Sequence, residues 1–270
     1  MRGIASLSHA PALSIAARRA LSTTVEPGPR RLDHLRANHP SIYADCRYSI
    51  VEISAALAAT QAARLGADSG HARRFDVQRR DATRADDWPA HPGPCFVLAM
   101  EVLDNLAHDL VTRRGGATWR QAAFLPTAAL RLLDTLHAML PGHALLAADF
   151  DSLPEVSIRG VNAPLVATTE KGSTRDHGTY LVPRGTADIF FPTDFRLLAE
   201  LHAEAGCGAA RPRPTCSSSV KTAEFMGIWA APGATRTRSG YEPLLSDYSN
   251  TSVFLGGCPE LCDPPLGERV

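Results

Sequence analysis

The 270-residue chain is 44% hydrophobic and 21% charged, ordinary values for a globular protein that can bury a sizeable core in one large domain or two modest ones. Its 28 basic and 28 acidic side chains cancel, so no global field would draw in nucleic acid or an anionic membrane. No apolar run reaches the roughly 18 residues a bilayer-spanning helix needs.

Residues 1–31, "MRGIASLSHAPALSIAARRALSTTVEPGPRR", carry five arginines, several serines and no acid before Glu26. That is the composition of a mitochondrial transit peptide; a disordered or artefactual leader is the alternative. In "RLDHLRANHPSIY", Leu32 and Leu35 share a helical face and Pro40 ends the helix. Residues 48–52 read as a strand, "AALAATQAARLG" as a helix closing at Gly66, and "RRFDVQRRDATRADDW" as a short strand and a polar loop. Cys95 to Met100 is the most apolar strand candidate and runs into Glu101 and Asp104. "LPTAALRLLDTLHAML" is an amphipathic helix through Leu130, Leu133, Leu136 and Leu140, and "HALLAADF" is a buried strand ending on Asp149.

Strands alternating with helices predict an α/β fold, a parallel sheet wrapped in helices. After Ser152 turn residues and polar interruptions predict an inserted lobe, before "ADIFFPTDFRLLAELHAEAG" returns to strand and helix, with Asp194 placed to cap the helix. "ARPRPTCSSSVKT" reads as a flexible loop, and the Gly- and Pro-rich tail, residues 256–270, as loosely ordered. The six cysteines lack a C-x-x-C pair or a histidine at zinc-finger spacing, so no metal site is expected and the pattern suits a reducing compartment.

Two readings are open at Glu52, where "YSIVE" closes on an acid and a helix-like stretch follows at once. An acid outside the carboxyl end of a parallel strand can accept hydrogen bonds from both hydroxyls of a ribose. The same acid can also sit at a helix N-terminus, favoured by the helix dipole.

Strands ending on Glu52, Glu101 and Asp149 are similar to what a class I (Rossmann-like) methyltransferase presents around its cofactor. "YSIVEISAALAATQ" resembles the Y-x-I-V-E-x-S-x-x-L-x-x-x-Q signature of the MidA-like family, mitochondrial S-adenosylmethionine-dependent protein arginine methyltransferases associated with assembly of respiratory complex I. "AMEVLDNLAHD", "ADIFFPTDFRLL" and "TRTRSGYEPLL" are similar, in the same order, to later family segments, the last one to fungal members. The resemblance covers about Leu32 to Leu255, which sets a methyltransferase-like domain at 32–255.

The resemblance implies S-adenosyl-L-methionine as cofactor, an arginine-bearing protein (a complex I subunit) as partner and the mitochondrial matrix as location. It implies Glu52 on the ribose and Asp81, beside Ala82, at the adenine amino group. Glu101 and Asp104 follow the strand where the transferred methyl would lie, with Asn105 as a further polar contact. A carboxylate there can hold a guanidinium fork bidentately and lead a proton away; the alternative is that both acids cap a following helix. His108 reads as an exposed helix histidine.

One family feature is absent. The family carries E-x-G-x-G-x-G-T on a first, central strand, and nothing in residues 1–31 has that form. The sheet is therefore expected to lack its first strand, and the second function to weigh is an inactive relative that acts as an assembly or binding module. "MRGI" joined to "LDHLR" would read as the start of the helix after that loop, so residues 5–31 are expected to be a retained intron or misassigned exon, with the true start upstream.

Overall fold

The computed structural model describes residues 27–68, 70–91, 93–115, 118–154, 156–170, 173–208, 216–230 and 236–257. The expectations for residues 1–26 and for the tail with Cys258 and Cys262 lie outside the described residues. Helix α1 (Pro27–Asn38) and the short α2 (Pro40–Asp45) meet at Pro40, and α1 already includes residues 27–31, so the boundary drawn at residue 31 falls inside it.

Strand β1 (Tyr48–Glu52) is joined through α3 (Ala55–Asp68) to β2 (Phe75–Arg79), its parallel partner, Tyr48 opposite Phe75 and Glu52 opposite Arg79. Strand β3 (Pro94–Met100) leads into the hairpin β4 (Asp109–Gly115) and β5 (Thr118–Leu125), then α4 (Thr127–Met139) and β6 (Gly142–Phe150). Strands β3 and β6 are parallel, with Met100 opposite Ala148. An antiparallel lobe, β7 (Leu165–Glu170), β8 (Ser173–Asp176) and β9 (Asp188–Phe190), is followed by α5 (Phe195–Gly208). The chain closes with β10 (Ser217–Lys221), α6 (Thr222–Trp229), the single turn α7 (Pro243–Ser246) and β11 (Thr251–Gly256). The main sheet has the order β10-β11-β6-β3, with β11 and β10 antiparallel additions to the parallel pair β6 and β3.

Burial explains the layering. Cys95, Val97 and Ala99 of β3, Leu145 and Ala147 of β6 and Phe254 of β11 form one apolar face, against which α4 (Leu132, Leu133, Leu136) and α5 (Phe195, Leu198, Ala205) pack. Strand β1 alternates between two cores, because successive side chains point to opposite faces. Val51 joins that first core together with Trp88, while Tyr48 and Ile50 pack with Leu32 of α1 and Leu65 of α3. Strand β1 is thus covered on both faces, whereas β3 leaves Phe96 on its other face 48% exposed. A third cluster, Phe124, Ile158, Ala163, Val166 and Phe191, holds the lobe to the hairpin.

Strands β1 and β2 form one sheet and β3 belongs to another, and among the described residues no strand bridges the two. Side-chain packing around Val51 and Trp88 is what joins the halves.

Several sequence readings need correction. Ser217–Lys221 is strand, because β11 offers it a backbone partner far away in sequence that its own polar residues do not advertise. The hairpin at 109–125 was not foreseen; Leu110 and Val111 in it are exposed, so no buried periodicity marks it. No α-helix follows Glu101; a single 3-10 turn spans Leu103–Asn105, and His108 lies in the loop after it, half-buried, its ring stacked 3.9 Å from that of Phe191. Cys216 is disulfide-bonded, against the expectation of reduced thiols, whereas Cys46, Cys95 and Cys207 are free.

Candidate active site

The carboxyl ends of β1, β2, β3 and β6 each lead into an acid. Glu52, the last residue of β1, is 6% exposed, and its Oε1 accepts a 2.7 Å hydrogen bond from the Ser54 amide where α3 begins. The Ser54 hydroxyl in turn accepts from the Leu57 amide at 3.4 Å. Glu52 therefore does hold the turn into the helix, the simpler of its two readings. A carboxylate has about four lone-pair sites, so this contact leaves capacity for ribose hydroxyls.

The Arg80 amide donates to the Glu52 carbonyl at 3.2 Å, which carries the end of β2 alongside the end of β1. Asp81 follows at once, half-buried, its Oδ1 accepting from the Thr83 amide (2.9 Å) and hydroxyl (2.8 Å). This local turn fixes the loop; Ala82 packs against the main core.

Glu101 stands at the end of β3 with φ of +53°, a left-handed backbone that a residue with a Cβ adopts at a cost of order 1–3 kcal/mol. Its amide donates 2.8 Å to the Ala148 carbonyl, which pins this turn to β6 and leaves the carboxylate exposed, with no hydrogen-bond partner among the described residues. Asp104 is the opposite case, 1% exposed, accepting from Asn105 Nδ2 at 2.5 Å.

Asp149, also 1% exposed, organises this corner. Its Oδ2 accepts from the amides of Leu103 (2.7 Å) and Asp104 (3.2 Å), and its Oδ1 from the Phe150 amide (2.8 Å). Burial, and then the neighbouring Asp104, push the Asp149 carboxyl up to about 7. Burial raises Asp104 to about 6 as well, the Glu101 charge adding to it against the opposing hydrogen bond from Asn105. Two buried carboxyls whose pKa values are raised toward neutrality thus accompany an exposed one. The sequence marks Asp149 as the end of a strand, but its grip on the Leu103–Asn105 turn depends on the β3–β6 register.

Beside this corner a cavity of about 600 Å³ opens between the end of β6 and the lobe, lined by Asp151, Ser152, Ile158, Asn162, Asp194 and Ser252. Asp151 is held by Lys221 and Ser252, each at 2.5 Å, and Asp194 accepts from the Arg196 and Leu197 amides at 3.0 Å, capping α5 as expected. The segment from Phe191 to Thr193 connects cavity and corner, with Phe191 donating to the Asp104 carbonyl and Thr193 to that of Phe150.

Away from the acids, at the other end of β6, the fold gathers His137, His143 and His202, a grouping that no spacing in the sequence announced. Among the described residues no helix is long and apolar enough to cross a membrane.

The chain is similar, at 12% identity over 94% of its length and 83% of the other, to the glycopeptide N-methyltransferase MtfA solved with S-adenosylhomocysteine (TM-score 0.47). It is similar at 11% identity to the CcbJ methyltransferase of Streptomyces caelestis, over 91% of this chain and 82% of that one (TM-score 0.45). An O-methyltransferase family protein of Burkholderia thailandensis gives 11%, 91%, 50% and 0.41 for the same quantities. No curated protein matches. The model of one family, described as "putative S-adenosyl-L-methionine-dependent methyltransferase", matches residues 30–124 and 120–213, more than half of the chain. The donor set fits that cofactor, since carboxylates at the strand ends suit both a ribose and a cationic sulfonium. The chain belongs to this family of S-adenosyl-L-methionine-dependent methyltransferases.

Proposed function

We propose that the chain methylates an arginine side chain of a mitochondrial matrix protein and thereby supports assembly of respiratory complex I. The observation that carries the chemical part is the exposed Glu101 carboxylate, set on a left-handed turn directly in front of the buried Asp104 and Asp149. The cellular part rests on the likeness of "YSIVEIS" and the segments after it to the MidA-like family.

An arginine side chain arrives fully protonated, with a pKa above about 12, and presents a planar fork of donors. Glu101 is placed to accept two of those donors and so to fix one terminal nitrogen, and positioning of this kind is worth about 7–11 kcal/mol of barrier. The cofactor, when bound, supplies a methyl group on a sulfonium, an electrophile that needs no metal. As the nitrogen gains a methyl it must release one proton, and a carboxylate beside it takes that proton and passes it to solvent. Glu52 is proposed to hold the ribose and Asp81 the adenine edge. Asp104 is proposed to act beside Glu101, keeping the turn negative above its raised pKa.

Two measurements test the reading. Calorimetry with S-adenosylhomocysteine should give heat of binding, with an affinity that Glu52→Gln reduces by tenfold or more; no heat from the wild type would leave an assembly module without catalysis. Mass spectrometry of arginine-bearing matrix proteins after incubation with the cofactor should then show arginine methylation that Glu101→Gln abolishes. Methyl groups found on other side chains, or unchanged transfer by Glu101→Gln, would remove the arginine assignment.

A further inference from the structure

We propose that His137, His143 and His202 form a binding site for one divalent transition-metal ion of the zinc type, a structural staple that ties α4, β6 and α5 together. The three rings come from the last turn of α4, the start of β6 and the middle of α5, and they are 9%, 5% and 0% exposed. One ring nitrogen from each lies within 4.8 Å of the others. His143 and Asp149 are six positions apart on β6, about 20 Å along an extended strand, so the site stands apart from the acids.

The hydrogen bonding speaks for ligation over mere packing. Nδ1 of His143 lies 2.8 Å from the Leu140 carbonyl, which can only accept, so Nδ1 carries the proton and Nε2 presents a lone pair. That is how a carbonyl behind a metal-binding histidine sets its tautomer. His137 likewise keeps its Nε2 buried and unpartnered. The Nε2 atoms of His137 and His143 and both ring nitrogens of His202 are buried without a hydrogen-bond partner. Buried polar atoms are nearly always partnered, so a group of unpartnered rings with one nitrogen from each within 4.8 Å of the others needs an explanation, and an ion supplies it for three of the four. Burial, the leading cause at each ring, keeps all three histidines in the neutral form that binds metal, lowering His143 to about 4 and His202 to about 3.

The surroundings fit a small fixed site. The His202 ring meets Phe254 edge-on with centroids 5.5 Å apart. A Cβ on Gly256 would come within 3.0 Å of His202 Cε1 and Nε2, so only glycine leaves that ring its place. A tetrahedral zinc with bonds of about 2.0–2.1 Å needs nitrogens about 3.3 Å apart, so each ring must move inward by roughly 1 Å or less. Three neutral imidazoles leave the fourth position for water or hydroxide. Asp134, one turn earlier on α4, is the acid whose charge reaches His137.

The test uses the full chain, stripped with a chelator and titrated with cobalt(II) and then zinc. We expect one equivalent of cobalt with the visible spectrum of a tetrahedral nitrogen site and no thiolate charge-transfer band, displaced by zinc, with a higher melting temperature for the loaded protein. His202→Leu and, separately, His137→Gln should each lose the one-equivalent band. Should either variant fail to fold, X-ray absorption of the zinc-loaded wild type decides, with a shell of three imidazoles and one oxygen expected and sulfur ligands overturning the assignment. No stoichiometric uptake by the wild type, or uptake unchanged in folded variants, would also overturn it and leave a dry cluster of neutral histidines.

Discussion

The two sheets that carry the candidate site are built to different standards. Strand β6 has a ladder on each side, β3 on one and β11 on the other, so the acids at its end, and at the end of β3, sit on a braced frame. Strand β1 is buried over all five residues yet pairs with β2 alone among the described residues. The chemistry proposed for Glu101 and Asp104 thus rests on backbone ladders. The grip proposed for Glu52 and Asp81 rests on a pair held to that frame by side chains. A ligand that touches both ends does more than bind, because it adds the connection that the backbone lacks.

Removing one acid from each half should separate the two roles. Asp149 accepts from three backbone amides, two of them in the buried turn at 103–104. Leaving buried donors unmade costs about 1–3 kcal/mol each. Asp149→Ala should therefore lose about 3 kcal/mol or more at pH 6, where the raised carboxyl is mostly protonated and little charge burial is relieved, lowering the melting temperature by roughly 6 °C or more. Glu52→Gln gives up one charged partner of the Ser54 amide and should cost about 1 kcal/mol, while its larger effect appears in cofactor affinity. Equal destabilisation by the two changes would mean that the halves are braced alike.

Val51 probes the seam itself. It is 2% exposed and belongs to the cluster that contains Trp88 and Val97. Val51→Ala removes two methyl groups and should cost about 2 kcal/mol. Hydrogen exchange should show the loss in β1 and β2, with β3 and β6 keeping their protection, and bound S-adenosylhomocysteine should recover part of it. Uniform loss across both sheets would show one cooperative unit and erase the distinction.

What could be read from the sequence follows the same division. Strands β1, β3 and β6 and helix α4 were visible because each buries a continuous run or an apolar stripe of its own. Strands β10 and β11 were not, since Ser217–Lys221 is mostly polar and Thr251–Gly256 is a short run among turn residues; pairing across distant sequence makes both. The site divides likewise. Glu52 and Glu101 stood out as acids ending apolar runs, but the hold of Asp149 on the Leu103–Asn105 turn is a product of register, and a one-residue slip would undo it. The histidine group is less legible still, drawn from two helices and a strand whose approach is a fact of packing alone.

A further effect concerns the charge that the braced half tolerates. Asp104 and Asp149 both have folded pKa values above their usual ones, so between about pH 4 and pH 7 the native state holds protons that the unfolded chain has released. Their contribution is thus most favourable at low pH and is lost as pH rises through about 6 and 7. Asp104→Asn removes one of the two charges while its side-chain oxygen can still accept from Asn105. It should flatten the fall of stability between pH 5 and pH 8 and stabilise the protein by about 1–2 kcal/mol at pH 8. Denaturant unfolding at several pH values measures this directly, and a steeper fall in the variant would show that the pair is not repulsive. A flatter profile together with reduced methyl transfer would mean that the frame around Asp149 bears a charge it does not need for folding. That charge would then be retained for the proton that leaves the substrate.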